Sequence, residues 1–461
     1  MLMDCYARED VFAQVPELAA EIDPVLSRLN VLLDDDELYH QVRADFGQRY
    51  QSTLVHGRHS TPVEVLLRMF ILKHLYQWSY KELEGRVKDS LVLRWFCRVA
   101  FHAVPDASTV WRWEQTLRPE TIHALNDRVV ELAAQARVTK GRKLRLDATC
   151  VQTTIHHPTD SGLLVDSVRV LSRMVQRARP LIQAPVKNIQ QLCRSRMRTA
   201  RSTAQTLHRQ LRRKGEDKEA EQKKLYQKLV ETTEQMVQQA RKVVCVLSKE
   251  TQQSAQLLAR QAKQVLPLVE RVITQTRKRV LENKKVPAGE KVLSLFEPHT
   301  CAIPRHKGGA LVEFGRQVML DEVEGGIVTR YEILEHPEEH GQAIDAVVHH
   351  REVFARPPHL VTGDRGVHSA DTEERLRAAG VKRIAIPAMG KVSEERQALE
   401  RTRGFRRGYR FRAGIEGRIA SLRRDYGWSK CRHHGQDGME RWLGLGVLAS
   451  NLRHIAQKQS A

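Results

Sequence analysis

Apolar positions along the chain keep three different rhythms. Up to about residue 140 they recur with helical spacing. The run TPVEVLLRMFILKHLYQW opens with Thr61 as a predicted N-cap, Pro62 at the first helical position and Glu64 three residues after the cap, the pattern of a capping box. SYKELEGRV repeats it with Ser79 and Glu82. In PDASTVWRWEQTL, Asp106 or Ser108 can cap a helix carrying Val110, Trp113 and Leu117. Short helices joined by tight turns, the last rich in Arg and Trp, suit a helix-turn-helix reader of DNA, and equally suit a plain helical bundle.

At about residue 141 the period falls to two. Leu144 and Leu146 share a face in KLRLDATCVQTTI, and β-favouring residues follow, which predicts a strand leading into a second strand or extended segment. From about 166 to 288 the helical rhythm returns in a stretch rich in Arg, Lys and Gln. Leu229, Met236 and Val243 recur every seven residues, with Leu225, Ala240 and Leu247 at three- and four-residue offsets. Gly215 with its dense charges, Pro180, Pro185 and Pro267 mark irregularities, so a helical hairpin or small bundle is predicted. From about 295 short β-favouring runs come back: GALVEFGRQVML, GGIVTRYEIL, HLVTGDRG and VKRIAIPA. QAIDAVVHHREVF and DTEERLRAAG read as helices between them, the second stopped by Gly380. The simplest organisation is one α/β domain, residues 141–165 and 289–461, interrupted by an all-helical insert at 166–288 and preceded by an all-α domain at 1–140.

Charge narrows the function. Against 55 acidic residues the chain sets 76 Lys and Arg, a formal net charge of +21. Such an excess calls for an extended anionic partner, with nucleic acid ahead of an acidic membrane surface. No run of about 18 apolar residues predicts a membrane span. MLMDCYARED lacks the basic-then-apolar pattern of a secretory leader. The seven cysteines are scattered without a C-x-x-C pair, which points to a reducing cytoplasm and away from a cysteine zinc site. The His156–His157, His349–His350 and His433–His434 doublets have no partner at metal-ligand spacing, and no phosphate-cradling G-x4-G-K-[ST] occurs. Asp160, Asp371 and Asp425 read as local caps or pairs, and Asp345 as a weak alternative ligand.

Two carboxylates sit where α/β sheets gather ligands. Asp147 lies at the middle or end of the first strand, and Asp364 ends a later one between Gly363 and Gly366. Either could simply serve a turn or a cap. A third element changes the weighing. In YRFRAGIEGRIASLRRDYGW, residues Tyr409, Arg412, Glu416 and Arg423 fall within roughly a 60° stripe of a helix. That face presents an acid among cations and a phenol, although an Arg412–Glu416 pair on a solvated face would look the same. Gly414 and Gly417 bracket the acid, each at a helix cost of about 1 kcal/mol, which suggests that something approaches closely. Three carboxylates in a basic protein suit two-metal phosphoryl transfer, with two Mg²⁺ or Mn²⁺ held about 3.5–4 Å apart by oxygen ligands. Tyr409, Arg412 and Arg423 would then grip phosphates.

With these residues in view, the chain resembles the DDE transposases of bacterial insertion sequences. Asp147, Asp364 and Glu416 look like their acidic triad. Tyr409-x2-Arg412-x3-Glu416-x6-Arg423 is similar to the Y-R-E-K signature of one branch, with Arg423 in place of the usual Lys, a swap that keeps charge but changes geometry. DATCVQTTIHHPTDSGLL, VPDASTVWRWEQTL and GLGVLASNLRHIA resemble further segments of that branch, and only the insert finds no counterpart. The resemblance implies an RNase H-like catalytic core whose Asp147, Asp364 and Glu416 hold two Mg²⁺ or Mn²⁺. It implies a cytoplasmic, nucleoid-associated enzyme acting on double-stranded DNA, both element ends and target, as a homodimer or higher assembly. The reaction implied is strand cleavage at terminal inverted repeats followed by strand transfer. A non-catalytic DNA-binding or architectural protein and an RNase H-like nuclease are the alternatives.

Overall fold

The N-terminal periodicity becomes a series of helices, Pro24–Leu32, Asp36–Gly47, Val63–Tyr76, Tyr80–Asp89, Leu91–Phe96, Ala107–Glu114 and Pro119–Gln135. Ser79 and Glu82 form the reciprocal capping box expected of them, and Asp106 caps its helix by accepting from the Thr109 amide at 3.0 Å. The Val63–Tyr76 helix departs from expectation. Pro62, not Thr61, is its N-cap, and no side chain caps it. Its first free amides go instead to the backbone: Val63 donates to the Met3 carbonyl and Glu64 to that of Asp4, at 3.0 and 3.3 Å. A distant carbonyl does here what the local hydroxyl was expected to do.

The computed structural model describes residues 1–6, 22–49, 59–183, 188–211, 218–304, 312–335 and 341–460. Pro185 and Gly215, read above as irregularities, lie outside them. The chain divides into two compact units, residues 1–152 with 316–461, and residues 153–315.

In the first unit, β1 (Lys143–Gln152) is the organising strand. Its burial alternates, with Leu144 and Leu146 in the core and Arg145 and Asp147 on the opposite face. β3 (Val312–Val323) enters this unit at Arg316, and β4 (Ile327–Ile333) pairs with it antiparallel. β5 (Leu360–Thr362) runs parallel to β1, with Lys143 opposite Leu360, and β6 (Arg383–Ala385) runs parallel to β5. The order across the unit is β4-β3-β1-β5-β6. All of β5 is buried, as parallel strands covered on both faces are. The intervening helices are Gln342–Phe354, as the sequence predicts, and Ala370–Ala378, closed by Gly380 at φ +91°. This mixed sheet is compatible with an RNase H-like core.

Two long C-terminal helices complete the unit, Arg403–Asp425 and Gln436–Ser460. The second is buried along most of its length, and Asn451 fastens it to the sheet. Its amide group donates to the Val328 carbonyl and to Asn126 of the Pro119–Gln135 helix, at 2.7 and 2.9 Å. The N-terminal helices close over this region through a buried charged cluster. The Glu114 carboxylate lies 3.6 Å from Lys73 Nζ, 3.9 Å from His74 and 3.4 Å from His433. Burial alone would raise Glu114, but the Lys73 charge and the adjacent His74 and His433 rings hold it below the usual carboxylate value.

The second unit contains the helices Asp160–Ala178, Met197–Leu211, Lys218–Leu247 and Gln253–Thr276. Leu229, Met236, Val243 and Leu247 join Leu164, Leu171 and Val269 in its core, so the seven-residue recurrence is a packing seam. Thr159 rather than Asp160 caps the first of these helices, and Asp160 pairs with Arg279 at 3.0 Å. β2 (Cys301–Pro304) also belongs here, antiparallel to the opening residues of β3.

Candidate active site

Asp147, Asp364 and Glu416 stand 217 and 52 residues apart in sequence and sit on three different elements. The alternation of β1 turns Asp147 away from Leu144 and Leu146, toward the Arg403–Asp425 helix. Gly363 brings the next carboxylate close: a Cβ there would come within 3.0 Å of Leu146 Cδ1, so β5 leaves the sheet tight against β1. Asp364 then caps the short turn Arg365–Val367, accepting from the Arg365 amide at 2.7 Å. Its turn role and its position near the other acids coexist.

The helix is laid down by Phe405, Gly408, Ile415 and Leu422, all buried. At Gly408 an added Cβ would stand 2.8 Å from the Ala385 Cβ, which is why this position carries no side chain where the helix crosses β5 and β6. Two arginines clamp the same helix to the sheet. Arg145 donates to Glu322 at 2.8 Å and to the Phe411 carbonyl at 2.9 Å, and stacks on the Phe411 ring. Arg418 reaches the other oxygen of the buried Glu322 at 3.3 Å. Arg145 also accounts for Gly414, whose missing side chain leaves room for the guanidinium, whereas Gly417 faces open space.

Arg412 is where the three carboxylates meet. One of its terminal nitrogens lies 2.9 Å from Asp147 Oδ2 and 3.7 Å from Asp364 Oδ2, and the other 3.5 Å from Glu416 Oε1. Asp147 and Arg412 are each 14% exposed at the side chain, whereas Asp364 and Glu416 open to solvent at 49% and 64%. The site thus has a dry floor and a wet rim. Burial raises the Asp147 carboxyl, Arg412 pulls it back, and Asp364 and Glu416 push it up again, leaving it above the usual carboxylate value. Burial works against charge on Arg412 too, but Asp147, Asp364, Tyr409 and Glu416 together hold its proton more firmly than usual.

Tyr409 packs with Phe405, Leu360 and Ala385, close enough to Arg412 to bear on its charge. Arg423 is half-buried, makes no ion pair among the described residues, and contributes its carbonyl to Ser429 at 2.9 Å. The acids offer only oxygen donors, the chemistry that suits Mg²⁺ or Mn²⁺. One guanidinium against three carboxylates leaves room for further positive charge. Among the described residues no group of three His, Cys, Asp or Glu is itself arranged to hold a metal ion; at Asp147, Asp364 and Glu416 the Arg412 guanidinium occupies the point of convergence. The sequence reading passed over Glu322 and Arg145. Their only advance signals were two acids closing an apolar strand and an arginine two residues before Asp147.

Comparison with known proteins gives the class. A family model described as Transposase DDE domain matches residues 316–452, which hold Asp364, Arg412 and Glu416. A second, described as Transposase domain (DUF772), matches residues 16–116. Together the two matches indicate a DDE transposase of the insertion-sequence type. Asp147 falls between the matched segments. A protein of Rhizobium meliloti described as "Uncharacterized protein ORF8 in nfe locus" is 29% identical over 127 residues, which cover 26% of this chain and 61% of that relative. No solved structure matches the chain. No helix among the described residues is long and apolar enough to cross a membrane.

Proposed function

We propose that this chain is an enzyme of DNA transposition whose catalytic carboxylates are Asp147, Asp364 and Glu416, and that it belongs to the branch with the Y-R-E-K signature helix. The observation that carries the reading is the convergence of three sequence-distant carboxylates on the Arg412 guanidinium. Unrelated surface acids have no reason to share one half-buried cation. The transposase domains support the same reading.

In this account Asp147 and Asp364, with Glu416 at the rim, hold two divalent cations. Bound there, the metals would supply a lowered pKa for the attacking hydroxyl and charge stabilisation at the scissile phosphate. The chain's own groups position the reactants. Asp147 is fixed by β1 and Asp364 by its turn, so their oxygens are set before substrate arrives. Arg412 can exchange its carboxylate partners for a phosphate, which its planar donors fit in a bidentate way. Water attacks phosphorus at the element's end and the 3′ oxygen leaves. That freed 3′ hydroxyl then attacks a phosphate of the target DNA, giving up its proton and forming a new phosphodiester as the target strand's own 3′ oxygen leaves and takes up a proton. Exposed Trp111 and Arg112, on the Ala107–Glu114 helix, support a DNA-reading role for the N-terminal helices. A homodimer or larger assembly on paired ends, acting at the nucleoid, completes the proposal.

The test is Mg²⁺-dependent cleavage of a duplex that includes the DNA flanking the coding region. Alanine at Asp147, Asp364 or Glu416 should abolish cutting while DNA binding survives. Normal cutting by any one of these variants removes that residue from the site.

A further inference from the structure

A second charged feature lies at the opposite end of the same strands. The parallel strands start flush, with Lys143 opposite Leu360 and Leu360 opposite Arg383. The His359 and Leu360 amides both donate to the Arg142 carbonyl, at 2.7 and 3.1 Å, which ties this edge together. Beneath it is a cavity of about 560 Å³ lined by six cations, Arg142, Lys143, Arg356, Lys382, Arg383 and Arg407, and by no acid. All six are exposed, and none forms an ion pair among the described residues. Arg356 and Arg383 are aimed by backbone carbonyls, those of Lys140 and Gly404. Nearby Glu324 is taken up by the Arg142 and Lys143 amides rather than by a side-chain cation.

Like charges gathered without carboxylates repel one another, and a fold accepts that cost where an anion relieves it. The cavity also has a defined distance from the carboxylates. Along the helix, Arg407 and Glu416 are nine residues apart, about 13.5 Å at the helical rise. Along β1, Lys143 and Asp147 are four residues apart, about 13 Å at the strand rise. The two rulers agree. A duplex lying along this direction advances about four base pairs over that length.

We infer that this cavity grips the DNA backbone about four base pairs from the scissile phosphate, holding the duplex in register over Asp147, Asp364 and Glu416. The inference rests on the proposed function and names the surface that meets the DNA. The contacts are to phosphate, so they position the duplex without reading its sequence.

The experiment measures binding of the full chain to a labelled random-sequence duplex across a salt series, with end cleavage followed in parallel. The triple variant Arg142→Gln, Lys382→Gln, Arg407→Gln should lower the slope of log affinity against log salt by about 2–3, at roughly 0.9 per phosphate contact. The charge-keeping variant Arg142→Lys, Arg407→Lys should retain the wild-type slope. All these side chains are exposed, so folding is not at stake. Cleavage by the wild type with an unchanged slope in the triple variant overturns the interface alone. A reduced slope without wild-type cleavage upholds the interface and overturns the catalytic reading alone. Binding of inorganic phosphate that the triple variant loses, with the duplex slope unchanged, assigns the cavity to small anions and also overturns the inference.

Discussion

The two glycines Gly408 and Gly417 lie on one helix, yet alanine should stabilise the fold at Gly417 and not at Gly408. In the interior of a helix, Gly→Ala is worth about 1 kcal/mol of stability from backbone entropy alone. At Gly417 nothing lies within 4 Å of the added Cβ, so that gain should appear in full. At Gly408 the added carbon would sit 2.8 Å from the Ala385 Cβ and 3.1 Å from Leu360 Cδ1. Ala385 has no side-chain torsion with which to withdraw, so the helix must lift from β5 and β6. Overpacking of this kind costs about 1–3 kcal/mol and therefore equals or exceeds the helical gain. Gly408→Ala should be neutral to about 2 kcal/mol less stable than wild type, and Gly417→Ala about 1 kcal/mol more stable. Urea unfolding followed by circular dichroism measures both. Lifting the helix also moves Arg412 and Glu416, so the destabilised variant should cut DNA more slowly. A Gly408→Ala protein as stable as Gly417→Ala would refute the reasoning about how this helix is seated.

Three further outcomes follow from the charge networks. Glu114→Gln removes the buried carboxylate that compensates Lys73, and should cost about 3–5 kcal/mol in urea unfolding, as breaking a buried pair does; a loss below 1 kcal/mol counts against that role. Burial holds His74 down to about 4 and His433 at about 3, so both stay neutral in the folded chain while the unfolded chain takes up protons near 6.5. The unfolded state then binds more protons below that value, so stability should fall as pH drops from about 6.5 toward 3, and a flat unfolding midpoint over that window contradicts the burial. Arg412→Ala removes the group that pulls Asp147 down, so the acidic limb of the cleavage pH profile, or the Asp147 carboxyl followed by NMR, should move to higher pH, and an unmoved limb or titration separates the two groups.

Where the fold's determinants are local, the sequence announced them. The Gln342–Phe354 helix, the Asp106 cap, the Ser79–Glu82 box and the alternation around Asp147 depend on residues a few positions apart. The stripe that carries Tyr409, Arg412, Glu416 and Arg423 is a matter of helical period alone. What was not legible depends on partners far along the chain. The amides of Val63 and Glu64 find the carbonyls of Met3 and Asp4, which no capping rule foresees. Glu322 reads as one acid among many until Arg145 and Arg418 close on it from β1 and the Arg403–Asp425 helix. Gly414 suggested a ligand's approach, and the group that fills its space is Arg145. The basic cavity likewise exists only because three strand ends stand level, a fact of register rather than of composition.

The central claim is that Asp147, Asp364 and Glu416 share a pair of divalent cations once DNA displaces Arg412 from among them. Crystals of the chain on a duplex, soaked in Mn²⁺ and measured at the manganese absorption edge, test it most directly. The account predicts two anomalous peaks about 3.5–4 Å apart, with Asp147 and Asp364 on the pair and Glu416 at its edge. Manganese bound elsewhere, or a guanidinium still seated among the three carboxylates with DNA in place, would contradict it.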